Sequence, residues 1–154
     1  LVLIYITFRF QWRQGIAAII TLLHDVMVVV GIFSIFDKEF TLPVIAALLT
    51  VVGYSLNDTI VIFDRIRENI SKFRKRELLP LINQSVTETL SRTLLTSGTT
   101  LMVVLALVFL GGEIIHDFAF ALLVGVLIGT YSSIYVASPT VLWLTKIAPP
   151  KTSD

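Results

Sequence analysis

The sequence of 154 residues contains no cysteine and few charged side chains. The absence of cysteine excludes disulfides, thiolate catalysis and cysteine-ligated metal sites in this sequence, and it leaves the redox compartment open. The two histidines, His24 and His116, lack the spacing of zinc ligands, so we expect no metal site. Charged residues make up 15% of the chain and the formal net charge is +1, which favours neither a nucleic-acid partner nor an acidic one.

Several catalytic patterns are missing as well. The sequence has no glycine-rich phosphate-binding loop, no nucleophile beside a base and no cluster of metal-ligating residues. We therefore expect a protein that is not an enzyme and that needs no cofactor. Energy, if the protein uses any, must then come from an ion gradient or from a partner.

Apolar residues, in contrast, are abundant and occur in long runs. They make up 55% of the chain, and about 20 consecutive apolar residues can cross a bilayer as a helix. The runs lack the alternation of barrel strands, so the sequence predicts an all-α transmembrane helix bundle over residues 1–147. The predicted spans are 15–36, 42–63, 94–112 and 118–144, preceded by 1–8, the expected end of a helix that begins before this sequence.

Basic residues in the connections predict how these helices are oriented. The connection 64–93 contains seven lysines and arginines, whereas 111–117 contains two acidic residues and no lysine or arginine. Basic connections stay on the cytoplasmic side of a membrane. We therefore expect 9–14, 64–93 and the C-terminal tail 148–154 to face the cytoplasm.

The connection 64–93 is also the one long polar segment. It is predicted to continue the preceding helix as far as Pro80 and then to form a short amphipathic helix on the inner leaflet. The apolar face of that second helix comprises Ile82, Val86 and Leu90. A positively charged anchor without a further role is the alternative.

Asp58 stands inside a predicted span, where a charge is costly. On a helix it shares one side with Ser55, while Asn57 falls on another side. Arg92 opens the next span and begins a polar stripe that includes Thr96. Because both charges lie towards the predicted cytoplasmic half, an encounter of Asp58 with Arg92 is geometrically reasonable.

An aspartate and an arginine in this arrangement can move protons. A carboxyl group in apolar surroundings holds its proton and releases it when a guanidinium or water comes close, whereas arginine keeps its own proton. Alternation between close and separated positions would couple proton passage to helix movement. A static ion pair or hydrogen-bonded contact between helices is the alternative for Asp58 and Arg92.

A second polar pair, His24 and Asp25, lies within the span 15–36. Adjacent residues point about 100° apart on a helix, so the two cannot both face one partner. We expect interhelical hydrogen bonding for at least one of them, and a proton-relay role for Asp25 is the alternative.

The last span, 118–144, carries small residues every four positions. Gly125, Gly129 and Ser133 belong to this stripe, which leaves one helix face without bulk. Such a face allows two helix backbones to approach closely. The sequence therefore predicts tight packing of this helix against a neighbour.

Five segments form a distinctive set. They are "FRFQWR" (8–13), "LLHDV" (22–26), "VVGYSLNDTIVIFDRIREN" (51–69), "SRTLLTSGTTLMV" (91–103) and "GTYSSIYVASP" (129–139). This set resembles the SecF branch of the SecD/SecF family of bacterial protein-export membrane proteins, and it covers nearly the whole chain. The third and fourth segments are highly specific for that branch.

The resemblance implies one half of a transporter of the RND superfamily, in which this chain holds the end of helix two through helix six. It implies that Asp58 and Arg92 conduct protons, and that the protein uses the proton motive force to assist preprotein export by the Sec translocase in the bacterial cytoplasmic (inner) membrane. The implied partners are membrane lipid, SecD, the SecYEG channel, YajC and the preprotein, which is held mainly by extracytoplasmic domains.

Two other functions stay in competition with proton-coupled export. One is a structural membrane subunit that stabilises the Sec complex without conducting ions. The other is a part of a different RND-type exporter. The resemblance also leaves open whether the parent is a separate SecF or a fused SecDF chain, and whether protons or sodium ions drive it.

Overall fold

A computed structural model describes residues 12–73 and 77–147, which form a bundle of helices without strands. We number the α-helices of this described part α1 (Trp12–Ile35), α2 (Leu42–Lys72), α3 (Leu78–Leu110), α4 (Glu113–Ser132) and α5 (Ser138–Ile147). A π-helical turn, Ser133–Ala137, joins α4 to α5. The predicted all-α bundle is confirmed, whereas the predicted span end at 1–8 and the tail 148–154 lie outside the described residues.

Four stretches of the described helices are long and apolar enough to cross a membrane. They are α1, α2, α3 and the rod Glu113–Ile147, which comprises α4, the π turn and α5. The α2 and α3 helices extend past the apolar runs of the sequence and form a pair of antiparallel polar arms. The arms carry ion pairs at that end of the bundle, among them Arg65 with Glu88, Arg65 with Glu68 and Lys72 with Glu68.

The connections show why the helices end where they do. After α1, Asp37 adopts a left-handed conformation with φ of 51°, and the Lys38 N–H donates to the Phe33 carbonyl at 3.0 Å, as in a Schellman cap. Pro43 occupies the first turn of α2, where its missing N–H costs nothing. Gly112 separates α3 from α4 at φ of 76°, a conformation that favours glycine.

The predicted amphipathic helix on the leaflet is not formed as a separate element. Instead, α3 begins at Leu78, accommodates Pro80 in its first turn and runs without a break to Leu110. Ile82 is buried against Ile66 of α2, and Val86 packs against the same cluster. The reason is that two antiparallel helical arms bury each other's apolar faces, so neither arm needs a lipid surface to cover it.

The helix α2 occupies the centre of the bundle, in contact with α1, α3 and α4. Its buried residues recur three or four positions apart, which makes one continuous face along the helix. This face comprises Val44, Ala47, Val51, Ser55, Asp58, Ile62, Ile66 and Asn69, and Leu56, Thr59 and Phe63 are buried beside it. The polar members of this face place hydroxyl, carboxyl and amide groups inside the bundle.

The two ends of the bundle differ in charge. We call the end at the α2–α3 connection, which carries Arg65, Lys72 and Arg92, the basic end, and the end at the α3–α4 connection, which carries Glu113 and Asp117, the acidic end. At the acidic end Lys38 Nζ lies 2.5 Å from Asp117 Oδ1 and 5.2 Å from the centre of the Phe120 ring. These contacts tie the end of α1 to α4.

Candidate functional site

Charged side chains are scarce inside the described bundle. After Arg13, α1 contains only His24 and Asp25 among Asp, Glu, Lys, Arg and His, and α2 contains only Asp58 before Asp64. The part of α3 beyond Arg92 contains none, and neither does the rod from 118 to 145. Two carboxyl groups therefore lie in the apolar part of the molecule.

Asp58 lies on the buried face of α2 and is 4% exposed. Its Oδ2 atom is inaccessible and has no hydrogen-bond partner among the described residues. Burial of a polar group without a hydrogen bond costs roughly 2–7 kcal/mol. Three arrangements would offset this cost. The carboxyl group can carry a proton, a water molecule can bind beside it, or a helix movement can bring a hydrogen-bond donor into contact.

Arg92 lies on α3 with an exposed side chain. Its positive charge acts on the Asp58 carboxylate through space, yet no ion pair or hydrogen bond joins the two in the described structure. Arg92 also lines an open groove of about 470 Å³ at the basic end, together with Val61, one helical turn from Asp58. The remaining lining residues are Asp64, Arg65, Glu68, Glu88 and Thr89. The groove thus leads from the basic end towards the level of Asp58.

A chain of hydroxyl groups crosses the bundle on the acidic side of Asp58. The Tyr54 hydroxyl donates to Ser97 Oγ at 3.1 Å, and Ser97 Oγ lies 2.7 Å from Thr130 Oγ1. These bonds connect α2, α3 and α4. Sequence reasoning did not predict this chain of hydroxyl groups, because a hydroxyl inside a threonine- and serine-rich span gives no signal of which neighbour it meets.

The register of α2 against α3 places two further hydroxyl groups at the level of Asp58. Tyr54 meets Ser97 and Asn69 meets Ser85, so the turn of α2 between them that holds Asp58 and Thr59 faces α3 near Thr93. The Oγ1 atoms of Thr59 and Thr93 are buried and lack partners in the described structure. The level of Asp58 therefore combines three unpartnered polar atoms, a set that suits water or a mobile proton.

Asp25 forms a second polar centre, closer to the acidic end. It is 0% exposed, and its Oδ2 atom accepts a hydrogen bond from the Ser55 hydroxyl of α2. Its Oδ1 atom lies 3.1 Å from His24 Nδ1. The His24 side chain is 37% exposed, so it connects the buried carboxyl group with the outer surface of the bundle.

The other residues that the sequence singled out lie apart from Asp58. Asn57 lies on the exposed face of α2. Thr96 uses its hydroxyl within α3, where it donates to the Arg92 and Thr93 carbonyls, each at 3.0 Å. The Ser133 hydroxyl is buried and donates to the Gly129 carbonyl at 2.9 Å.

Glycines on α4 bring its backbone against α2. A Cβ atom placed on Gly125 would lie 2.1 Å from Val51 Cγ2, and one placed on Gly129 would lie 3.2 Å from Ser55 Cβ. The two contacts advance by four residues on each helix, so α4 and α2 run in parallel. The next turn of the rod is the π turn, which consequently lies at the level of Thr59, beside Asp58.

The π turn Ser133–Ala137 is a feature that sequence reasoning missed. Its signal is Pro139, which has no N–H to donate to Tyr135 and whose ring crowds that carbonyl. A π turn widens the helix and relieves this conflict, and such turns are frequent at functional sites.

A polar network closes the bundle at the basic end, outside the apolar part. Arg65 Nε lies 2.5 Å from Glu88 Oε2, and Asn69 Nδ2 donates to Ser85 Oγ at 2.8 Å. Hydrogen bonds from Gln84, Asn69 and Arg65 lower the pKa of Glu88 to about 2. The Glu88 carboxylate therefore stays ionised around neutral pH, and the network holds the arms of α2 and α3 together.

Known proteins resemble this chain over most of its length. The family model described as protein export membrane protein SecD/SecF, C-terminal, matches residues 1–147. The protein translocase subunit SecF of Vibrio alginolyticus is 57% identical over 143 residues, which are 93% of this chain and 45% of the relative. The protein translocase subunit SecDF of Thermus thermophilus is 54% identical over 92% of this chain and 19% of its own length.

The fold of this chain also resembles that of a solved structure. The crystal structure of SecDF from Thermus thermophilus, described as a translocon-associated membrane protein, superposes with a TM-score of 0.91 at 52% identity. The match covers 94% of this chain and 20% of that one, and the chain spans less than half of the Vibrio SecF relative. The matched family, the sequence identity and the shared helical fold all agree, and the chain belongs to the SecD/SecF C-terminal family of protein-export membrane proteins.

Proposed function

We propose that this chain is the part of a SecF subunit that conducts protons and couples the proton motive force to preprotein export by the Sec translocase. The observation that carries the proposal is Asp58, a buried carboxyl group with an unpartnered oxygen within electrostatic reach of Arg92 but not bonded to it. In a purely structural ion pair, the Asp58 carboxylate and the Arg92 guanidinium would be in direct contact. Relatives of this chain are the protein translocase subunits SecF and SecDF, which supports the role in export.

In this mechanism the protonation of Asp58 sets the distance to Arg92. The ionised carboxylate attracts the Arg92 guanidinium, whereas the neutral acid does not. The helices α2 and α3 therefore prefer different relative positions in the two states. A proton that crosses the full membrane potential supplies about 2.3 kcal/mol per 100 mV, which is enough to bias such an equilibrium.

We place the molecule in the bacterial cytoplasmic membrane, with the basic end and the C-terminus in the cytoplasm. The contrast between the basic and acidic ends supports this orientation because positive connections stay inside. SecD is the nearest partner, and the fused SecDF relative supports that association. We further propose contacts with SecYEG and YajC, and a substrate preprotein that is held mainly by parts of the parent protein outside this chain.

The proposal is tested by preprotein export into inverted membrane vesicles that contain the complete Sec complex with the full-length parent protein. At constant ATP, a proton gradient is expected to increase export, and removal of the subunit is expected to remove that increase. If the proton gradient increases export by the same amount without the subunit, the subunit does not couple protons to export. Only the structural role then remains for it. If a sodium gradient increases export and a proton gradient does not, the coupling ion is sodium and the proton part of the proposal is wrong.

Arg92 provides a further prediction. Replacement by glutamine should lower proton flux through the complete complex about tenfold, as the loss of ~1.4 kcal/mol of attraction to the ionised Asp58 would do. Replacement by lysine should retain most of the flux because the charge remains. Proton flux into vesicles measures both, and Lys146→Gln, which removes an exposed cation from α5 at the same end, is the matched control. Equal flux in the Arg92→Gln and Lys146→Gln complexes would contradict the role of Arg92.

A further inference from the structure

We propose that Asp25 is a second proton-binding group of this domain and that it exchanges protons with Asp58 through the hydroxyl group of Ser55. The inference rests on the proposed proton conduction and extends its path by one helical turn towards the acidic end. It assigns a task to the most deeply buried carboxyl group of the described residues.

The surroundings of Asp25 provide little to neutralise a negative charge. On its own helix the neighbouring charged group is His24, and on α2 it is Asp58. The α3 segment beyond Arg92 and the rod from 118 to 145 contribute no Asp, Glu, Lys, Arg or His. A carboxyl group that is 0% exposed in these surroundings needs either its own proton or a protonated His24. Either requirement places a proton on the pair that Asp25 forms with His24.

The contacts of Asp25 connect it in two directions. One oxygen accepts from Ser55, which stands on the buried face of α2, and the other lies 3.1 Å from the His24 ring nitrogen. An imidazole ring has two nitrogens that can carry a proton. Because the His24 ring is partly exposed, a donor outside the described bundle can pass a proton through it to the buried carboxyl group.

Ser55 and Asp58 are three residues apart on the same face of α2. Side chains at this spacing have Cβ atoms about 5–6 Å apart, a gap that one water molecule bridges. Asp58 retains an oxygen without a partner, so it can accept that bridge. Gly129 of α4 lies against Ser55, which closes the pair off from lipid.

The transfer balances without any further reactant. The O–H bond of protonated Asp25 breaks as its proton passes to the Ser55 oxygen, and the original Ser55 proton passes to the bridging water. That water releases one of its own protons to the Asp58 carboxylate. The transfer leaves the Ser55 hydroxyl donating to the Asp25 carboxylate, as in the structure. Rotation of this hydroxyl towards the water and a new proton on Asp25 reset the path.

The test compares proton flux in vesicles that contain the complete complex with Asp25→Asn, Ser55→Ala or Asp117→Asn in the full-length protein. Asparagine keeps an acceptor for Ser55 but does not ionise, so Asp25→Asn is expected to lower flux about 100-fold, the scale of a lost proton-transfer group. Ser55→Ala should lower it about tenfold, because water replaces a hydroxyl only in part. Asp117→Asn, at the acidic end, should leave flux unchanged.

The dependence of flux on pH separates a proton carrier from a structural residue. Asp25→Asn should remove one titration step from the profile while the complex stays assembled. If the assembled Asp25→Asn complex has wild-type flux and a wild-type pH profile, and its flux still depends on Asp58, this inference is overturned. The proposed function then stays intact. If Asp25→Asn prevents assembly, wild-type flux in Ser55→Ala overturns this inference instead. Wild-type flux in an Asp58→Asn complex would refute the proposed function itself.

Discussion

Proton flux through vesicles that contain the complete complex is expected to fall to the level of empty vesicles when Asp58 is replaced by asparagine. Asparagine has nearly the same shape and still accepts hydrogen bonds, but it cannot bind and release a proton. Aspartate has an ionised state that attracts Arg92 and a neutral state that does not. Asparagine has only a neutral state, so this difference is lost. Flux is measured from the decay of an imposed pH gradient.

The Asp58→Asn complex should still assemble. Asparagine matches aspartate in size, and a neutral amide costs less to bury than an ionised carboxylate. The thermal stability of the complex should therefore stay close to that of the wild type. Asp117→Asn is the matched control because it makes the same chemical change at the acidic end. Undiminished flux in an assembled Asp58→Asn complex would mean that this carboxyl group carries no protons.

Replacement of Gly125 is expected to destabilise the membrane domain. Even alanine would place its Cβ atom 2.1 Å from Val51 Cγ2 and 2.9 Å from Val51 Cβ, so α4 must move away from α2. Overpacking of this kind costs about 1–3 kcal/mol for a small group, and leucine at Gly125 should prevent assembly altogether. Thermal unfolding of the detergent-purified complex measures the loss.

A compensating change tests the cause of that loss. Val51→Ala removes the methyl groups that the new side chain would meet, so it should restore part of the stability of Gly125→Ala. Gly31→Ala is the matched control, because a Cβ atom there meets nothing within 4 Å. Equal thermal stability of the Gly125→Ala, Gly31→Ala and wild-type complexes would show that the close approach is not needed.

The spacing of residues along one helix predicted several neighbours inside the bundle. Ser55 and Asp58 share a side of α2 by helical geometry, and the structure buries both. The four-residue stripe on the last span contains Gly125 and Gly129, which meet Val51 and Ser55 in the structure. Both predictions depend only on the period of the α-helix, which is the same in any helical protein.

The segment 64–93 was harder to predict. Its apolar positions indicated an amphipathic helix, but the same pattern suits a helix against lipid and a helix against another helix. The structure contains the second arrangement, in which Ile82 packs with Ile66. The choice depends on whether a partner face lies at the right distance, and hydropathy alone does not contain that distance.

The sequence by itself determined that this protein is a bundle of membrane-spanning helices with two carboxyl groups in its apolar part. Hydropathy and charge add up residue by residue along the chain, so no knowledge of tertiary contacts was needed. Only the tertiary structure decided that Ser55 donates to Asp25, that Asp58 is within reach of Arg92 but unbonded, and that a π turn lies beside them. These relations depend on helix crossing and register, which arise from the packing of all the helices together.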